Sequence, residues 1–172
     1  APLGLWEQVP AAASSDLSAQ VLRVPVPVKP EQTEEQVRTR WVGIDEAAAR
    51  ERVGRELSLR RDALTDDDPV HHVWLWQIGD AVVVAQPGEL FSTFQAELRR
   101  RHADRCVLVL NCTNGPGFRM YLPDRTAYAR NRYQVWQTLL DEGAMETVLE
   151  AVDVAIDALP SRSDARPVGA AP

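Results

Sequence analysis

Two wholly apolar runs, "AVVVA" (Ala81–Ala85) and "CVLVL" (Cys106–Leu110), stand on either side of a segment whose apolar residues recur at helical spacing. Runs this short, β-branched and bounded by turn residues are strands of the kind buried on both faces. Between them Leu90, Phe94 and Leu98 recur every fourth residue and Phe91 widens the stripe, which predicts a helix facing a core. That helix begins after Gly88 and ends in "RRRHAD", whose cations suit the negative end of a helix dipole. Strand, helix, strand is a βαβ unit with parallel strands. The exits "QPGE" and "NCTNGPGF" therefore emerge side by side, on the edge where open α/β sheets hold their ligands.

The remaining pattern extends this unit into an α/β fold with a mixed sheet and flanking helices. "VHHVWLWQI" (Val70–Ile78), the Gly79–Asp80 turn and "AVVVA" predict a hairpin. "VLRVPVPVK" (Val21–Lys29) suits an edge strand, where a proline's missing N–H is harmless. From Glu34 to about Leu64 the chain is dense in Glu, Arg and Ala, which predicts one or two surface helices broken near Gly43. "TDDDP" (Thr65–Pro69) reads as a loop without the ligand spacing of a calcium site. Asp141–Leu159 is an amphipathic helix with Met145, Val148, Leu149, Val152 and Ile156 on one side. The organisation is an extended or poorly ordered segment over 1–20, the α/β unit over 21–160 and a flexible tail over 161–172.

Charge and composition remove several function classes. With 25 acidic against 19 basic residues in 172, and the basic ones scattered, nucleic acid is not an expected partner. No apolar run approaches the roughly 20 residues of a membrane-spanning helix, so no transmembrane segment is expected. A soluble chain follows, in the cytoplasm or secreted, and Cys106 and Cys112 do not decide between the two. Ala1 opens a chain whose only methionines are Met120 and Met145, which reads as a piece of something longer.

The candidate chemistry gathers at the two strand exits. Glu89 falls where helical periodicity starts, so it is either a carboxylate that stabilises a first helical turn or part of a site at the sheet edge. Asn111 and Asn114 can position a substrate carbonyl, while Gly115 and Gly117 permit close backbone approach; Asn-Gly and Gly-Pro-Gly are equally ordinary turn chemistry. His71 and His72 are strand neighbours and point to opposite faces, so at most one can face any given site.

"IGDAVVVAQPGELFSTFQAELRRR" together with "NGPGFRMYLPDRTAYARNRYQV" resembles the C-terminal part of the catalytic domain of the neutral/alkaline, non-lysosomal ceramidases. The resemblance runs over about Val21 to Leu159 and is strongest from Ile78 to Gln134. It implies a zinc-dependent amidase that cleaves an N-acyl bond with a serine nucleophile. By the same resemblance Glu89 and Tyr121 correspond to zinc ligands, Tyr133 to the tyrosine that helps hold the oxyanion, and Tyr128 to the middle tyrosine of the family stretch. These are the only three tyrosines in the chain. Leu122, Pro123 and Asp124 replace the family's Thr-containing run and Gln134 stands where Glu is usual, changes that bear on the substrate more than on the metal.

No segment resembles the family's serine motif or its two zinc-binding histidine motifs, and His71, His72 and His102 lie in other contexts. The resemblance therefore implies half of an active site. The Ser nucleophile and two His ligands belong to a companion polypeptide carrying the N-terminal part of the domain, and the substrate is an N-acyl amide or lipid-like molecule. The other function class is a non-catalytic structural or binding subunit that keeps the fold.

Overall fold

The computed structural model describes residues 17–63, 69–113, 115, 118 and 120–160, without the side chains of 60–63. Residues 1–16, the acidic part of the 64–68 loop, Asn114, Gly117 and the 161–172 tail lie outside the described residues.

The chain is mixed α/β. Strands β1 (Leu17–Pro25), β2 (Val70–Ile78), β3 (Ala81–Ala85) and β5 (Cys106–Leu110) form one sheet in the order β1-β2-β3-β5. The β2–β3 hairpin turns at Gly79, whose φ of 59° is the left-handed conformation that glycine adopts without a Cβ penalty. β3 and β5 pair in parallel with Ala81 opposite Cys106 and Ala85 opposite Leu110, joined by helix α3 (Ser92–Arg101), so the βαβ unit read from the sequence is present. β1 is an edge strand antiparallel to β2, and it starts at Leu17, earlier than the Val21 expected.

Alternation in β2 fixes which face is the core. His71, Val73, Leu75 and Gln77 are buried on one side, where α3 and α6 (Ala144–Asp157) cover the sheet. Phe94 and Leu98 of α3, with Val148, Val152 and Ile156 of α6, meet Val82, Val84 and Val107 there. Arg101 and His102 at the end of α3 tie the two helices together through Asp153, at 2.8 and 2.9 Å. Helices α1 (Glu34–Arg40) and α2 (Glu46–Ala63) pack on each other with Gly43 between them, as the sequence predicts. The α1 start is a capping box in which Thr33 and Gln36 satisfy each other's backbone N–H groups.

On the opposite face of the sheet Leu17, Val21, Trp76, Ile78, Leu108 and Leu110 are exposed, while Ala85 is buried and Gly115 stands against the Trp74 ring. In register across this face lie Leu17, Ala19 and Val21 of β1, Trp74, Trp76 and Ile78 of β2, Ala81, Val83 and Ala85 of β3, and Cys106, Leu108 and Leu110 of β5. Leu108 and Leu110 are 41% and 45% exposed, so the expectation that "CVLVL" is buried on both faces is corrected. β5 ends the sheet, and among the described residues no layer covers its outer side. An all-apolar strand with one open face is the pattern of a sheet that takes a second layer.

Candidate active site

β3 ends at Ala85, and the next side chain, Gln86, organises everything after it. Gln86 is wholly buried, and its Oε1 accepts from the Gly88 backbone N–H at 2.7 Å and faces His71 Nε2 at 3.0 Å. Its amide nitrogen donates to the Gly88 carbonyl at 2.6 Å and to Asn111 Oδ1 at 2.8 Å. Asn111 in turn donates to the Leu90 carbonyl at 3.1 Å. A buried amide with every site used holds the Pro87–Gly88 turn in one shape.

His71 belongs to this support. Its Nδ1 accepts from the Phe118 backbone N–H at 3.3 Å, which leaves the proton on Nε2 for Gln86. Burial lowers its pKa from 6.5 to about 4, against the opposing pull of the Gln86 hydrogen bond, and nearby His72 lowers it further. His72 lies on the other face of β2 beside Trp74, ring centroids 6.4 Å apart, so the two histidines do face opposite ways.

The turn passes so close to the second loop that only glycine fits. A Cβ on Gly88 would stand 2.8 Å from the Met120 carbonyl oxygen and 2.9 Å from that of Phe118. Beyond it Glu89 donates its backbone N–H to Met120 at 2.9 Å, while Cys112 donates its own to Gly88 at 3.0 Å. The two loops thus run side by side from the parallel strands, as their topology requires.

This closeness creates a pairing that periodicity did not foresee. Glu89–Leu90 form strand β4, which pairs in parallel with strand β6 (Tyr121–Leu122), Glu89 directly opposite Tyr121. Glu89 is therefore not at the start of a helix: α3 is capped by Phe91 and begins at Ser92. The expected helix-start role is corrected, because a pairing with β6 takes the first residues away from the helix.

Glu89 is exposed and Tyr121 half-buried. The negative charge of Glu89 is the largest influence on the Tyr121 phenol and raises its pKa, helped by burial, by Tyr133 and by a side-chain hydrogen bond to Glu89 itself. Tyr133, first residue of the short helix α5 (Tyr133–Trp136), meets Tyr121 edge to face at 6.1 Å between centroids. Trp136 stands 4.7 Å behind Tyr133 and Trp41 5.1 Å behind Trp136. Tyr128 lies in helix α4 (Arg125–Ala129), whose cap Asp124 accepts from the Ala127 N–H at 2.9 Å. The Tyr128 hydroxyl donates to the Leu140 carbonyl at 2.8 Å, and burial above all pushes its phenol well up.

The fold thus brings Glu89, Tyr121 and Tyr133 together and leaves Tyr128 in a packing role. Asn111 sits at the same edge with its amide committed to Gln86 and Leu90, and Asn114 lies outside the described residues. Sequence reasoning missed Gln86 and the supporting role of His71; a Gln directly after an apolar strand and before Pro-Gly is the signal that marks them. Glu89 and Tyr121 offer a carboxylate and a phenol on adjacent strands, a fit for two oxygen positions of a zinc ion. Among the described residues no group of three or more His, Cys, Asp or Glu gathers. Compared with protein-family models, curated proteins and solved structures, the chain matches none.

Proposed function

We propose that this chain is the C-terminal subunit or fragment of a zinc-dependent, ceramidase-like amidase, acting in N-acyl amide hydrolysis or the related acyl transfer to an amine. The observation that carries the reading is the register of β4 on β6, which sets Glu89 against Tyr121 with Tyr133 edge-on to the same phenol. Residues far apart in sequence thus lie close together, which supports the roles the resemblance suggests for them.

In this reading Glu89 and Tyr121 hold zinc together with two histidines of a companion polypeptide, which also brings the serine nucleophile. Zinc, when bound, supplies a Lewis acid for the amide oxygen. Tyr133 donates its hydroxyl to that oxygen as negative charge develops on it. Gln86, His71 and Gly88 keep the Glu89 backbone where Tyr121 can share its ligand. The exposed apolar residues of the outer sheet face, Leu17, Val21, Trp76, Ile78, Leu108 and Leu110, support the companion, since they give a second layer of the same domain somewhere to pack.

The test is the complex of this chain with the polypeptide that completes it, identified by intact mass in purified native material. Stoichiometric zinc and hydrolysis of a medium-chain N-acyl amide are expected in that complex. A tight complex with neither zinc nor amidase activity leaves the non-catalytic subunit as the better account.

A further inference from the structure

Strand β5 is an edge of the sheet, and its ladder with β3 shows which of its backbone groups are left over. At its two ends the Cys106 N–H donates to the Asp80 carbonyl at 3.3 Å and the Leu110 carbonyl accepts the Gln86 N–H at 3.0 Å. Backbone groups of alternate residues point to opposite sides of a strand, so Cys106, Leu108 and Leu110 serve β3 while the N–H and C=O of Val107 and Val109 face outward. Two of these outward groups are occupied from α3. The Val109 N–H donates to Gln95 Oε1 at 3.1 Å, and Arg99 Nε donates to the Val107 carbonyl at 3.0 Å. Gln95 and Arg99 stand about one turn apart on the helix, and so reach the same edge side by side.

That edge has more need of cover than the other one. The opposite edge strand, β1, carries Arg23 and closes on Pro25, a charge and a missing donor of the kind that discourage strand pairing. β5 has neither: from Cys106 to Cys112 the chain holds no charge and no proline, and Leu108 and Leu110 are exposed. The partner such an edge fits best is its own copy. In an antiparallel pairing of two β5 strands about Leu108, Val107 of one lies opposite Val109 of the other, and one of the bonds they exchange joins the Val109 N–H to the Val107 carbonyl. Those are the two groups that Gln95 and Arg99 hold.

We propose that Gln95 and Arg99 form a gate on the β5 edge, and that the interaction surface behind it takes β5 of a second copy of this chain when the gate is opened. The gate consists of side chains alone, so it can be removed without touching the sheet. Arg99 is its less expected half, since Arg100 and Arg101 beside it pair with carboxylates whereas Arg99 turns its guanidinium to a backbone carbonyl. The gate is independent of the amidase reading. With it closed, a companion polypeptide meets the sheet by its outer face and not by this edge.

The experiment measures self-association of the full chain by sedimentation, with and without the double substitution Gln95→Ala and Arg99→Ala, and follows amide hydrogen exchange at Val107 and Val109. Neither side chain belongs to the core and Ala is the best helix former, so the double variant is expected to fold. It should self-associate at least about tenfold more tightly than the native chain, the weight of recovered backbone hydrogen bonds, and its Val107 amide should exchange more slowly in the associated form. Gln95→Glu with Arg99→Lys keeps an acceptor and a donor at the edge and should stay as unassociated as the native chain. A folded double-alanine variant that associates no more than the native chain overturns the proposal. So does association that leaves exchange at Val107 and Val109 unchanged, which would put the contact on the exposed apolar face. Should the double variant not fold, the two single alanine variants decide: each frees one group, and each has to associate more tightly than the native chain.

Discussion

Glu89 and Tyr121 stand directly opposite each other in a parallel pair only two residues long, built by loops and not by the main sheet. So short a ladder has little stability of its own. It is held instead by its approach to Gly88, by the Glu89 N–H bond to Met120 and by the Gln86 network behind it. The exposed carboxylate hydrogen-bonds the Tyr121 phenol, while the Glu89 backbone holds the turn itself.

That division yields a prediction for Glu89→Ala in the assembled protein. Stability should fall by no more than about 1 kcal/mol, the size of the one hydrogen bond to Tyr121 that is lost, while zinc and amidase activity are lost together. Metal analysis beside a denaturation curve checks it. Full zinc occupancy in the variant would leave Glu89 without a ligand role.

Gly88→Ala should do the opposite. The added methyl meets two backbone carbonyls at 2.8 and 2.9 Å as well as Leu122 Cδ1 at 2.4 Å, and carbonyls in a paired loop cannot swing away as a flexible side chain can. A loss of about 1–3 kcal/mol is expected, the range for overpacking, measured by urea denaturation. A variant as stable as the parent would show that the two loops are not in contact.

Much of this was legible beforehand, and the misses share a cause. The β2–β3 hairpin, the parallel β3–β5 pair and α6 follow from periodicity because each presents one face to the core over its whole length. β4 and β6 have no period to read: Glu89 and Leu90 belong to the helical stripe on paper, and only the tertiary contact with Tyr121 and Leu122 makes them strands. The same limit hid α4 and α5, too short to show a repeat. The outer face of β5 is the reverse case: its apolar pattern reads as buried, yet Leu108 and Leu110 are exposed there.

The buried His71 makes stability depend on pH. Its folded pKa is lowered to about 4 from 6.5, so below pH 6.5 the unfolded chain takes up a proton that the folded chain refuses. Stability from this group is therefore whole above pH 6.5 and falls as the pH drops towards 4, by about 3 kcal/mol in total at 1.36 kcal/mol per unit. Denaturation curves at pH 7, 5.5 and 4 should show the slope, and His71→Leu should flatten it while lowering stability at pH 7 through the orphaned Gln86 and Phe118 partners. An unchanged slope in the variant would assign the acid sensitivity to other groups.

On the proposed reading the three tyrosines divide into ligand, donor and packing. Tyr121 carries a phenol whose pKa the Glu89 charge raises, a push that a bound cation at the pair reverses. Tyr121→Phe should accordingly weaken zinc binding and lower activity through metal loss, and zinc added to the native complex should lower the pH at which this phenol ionises, followed by ultraviolet absorbance. Tyr133 touches Tyr121 only at the ring edge and lies half exposed, so Tyr133→Phe should leave zinc and substrate binding close to native. Its loss should appear in kcat, by roughly 10²-fold or more, because an oxyanion donor acts only when charge develops. Tyr128 gives the internal control. Its hydroxyl is used by the Leu140 carbonyl, so Tyr128→Phe should cost about 1 kcal/mol of stability for one buried hydrogen bond and nothing in zinc or kcat. Zinc stoichiometry, amidase kinetics and denaturation on the three variants in the assembled protein make the comparison. A Tyr133→Phe enzyme with native kcat would remove the oxyanion role from Tyr133, even if Tyr121 proved to hold the metal.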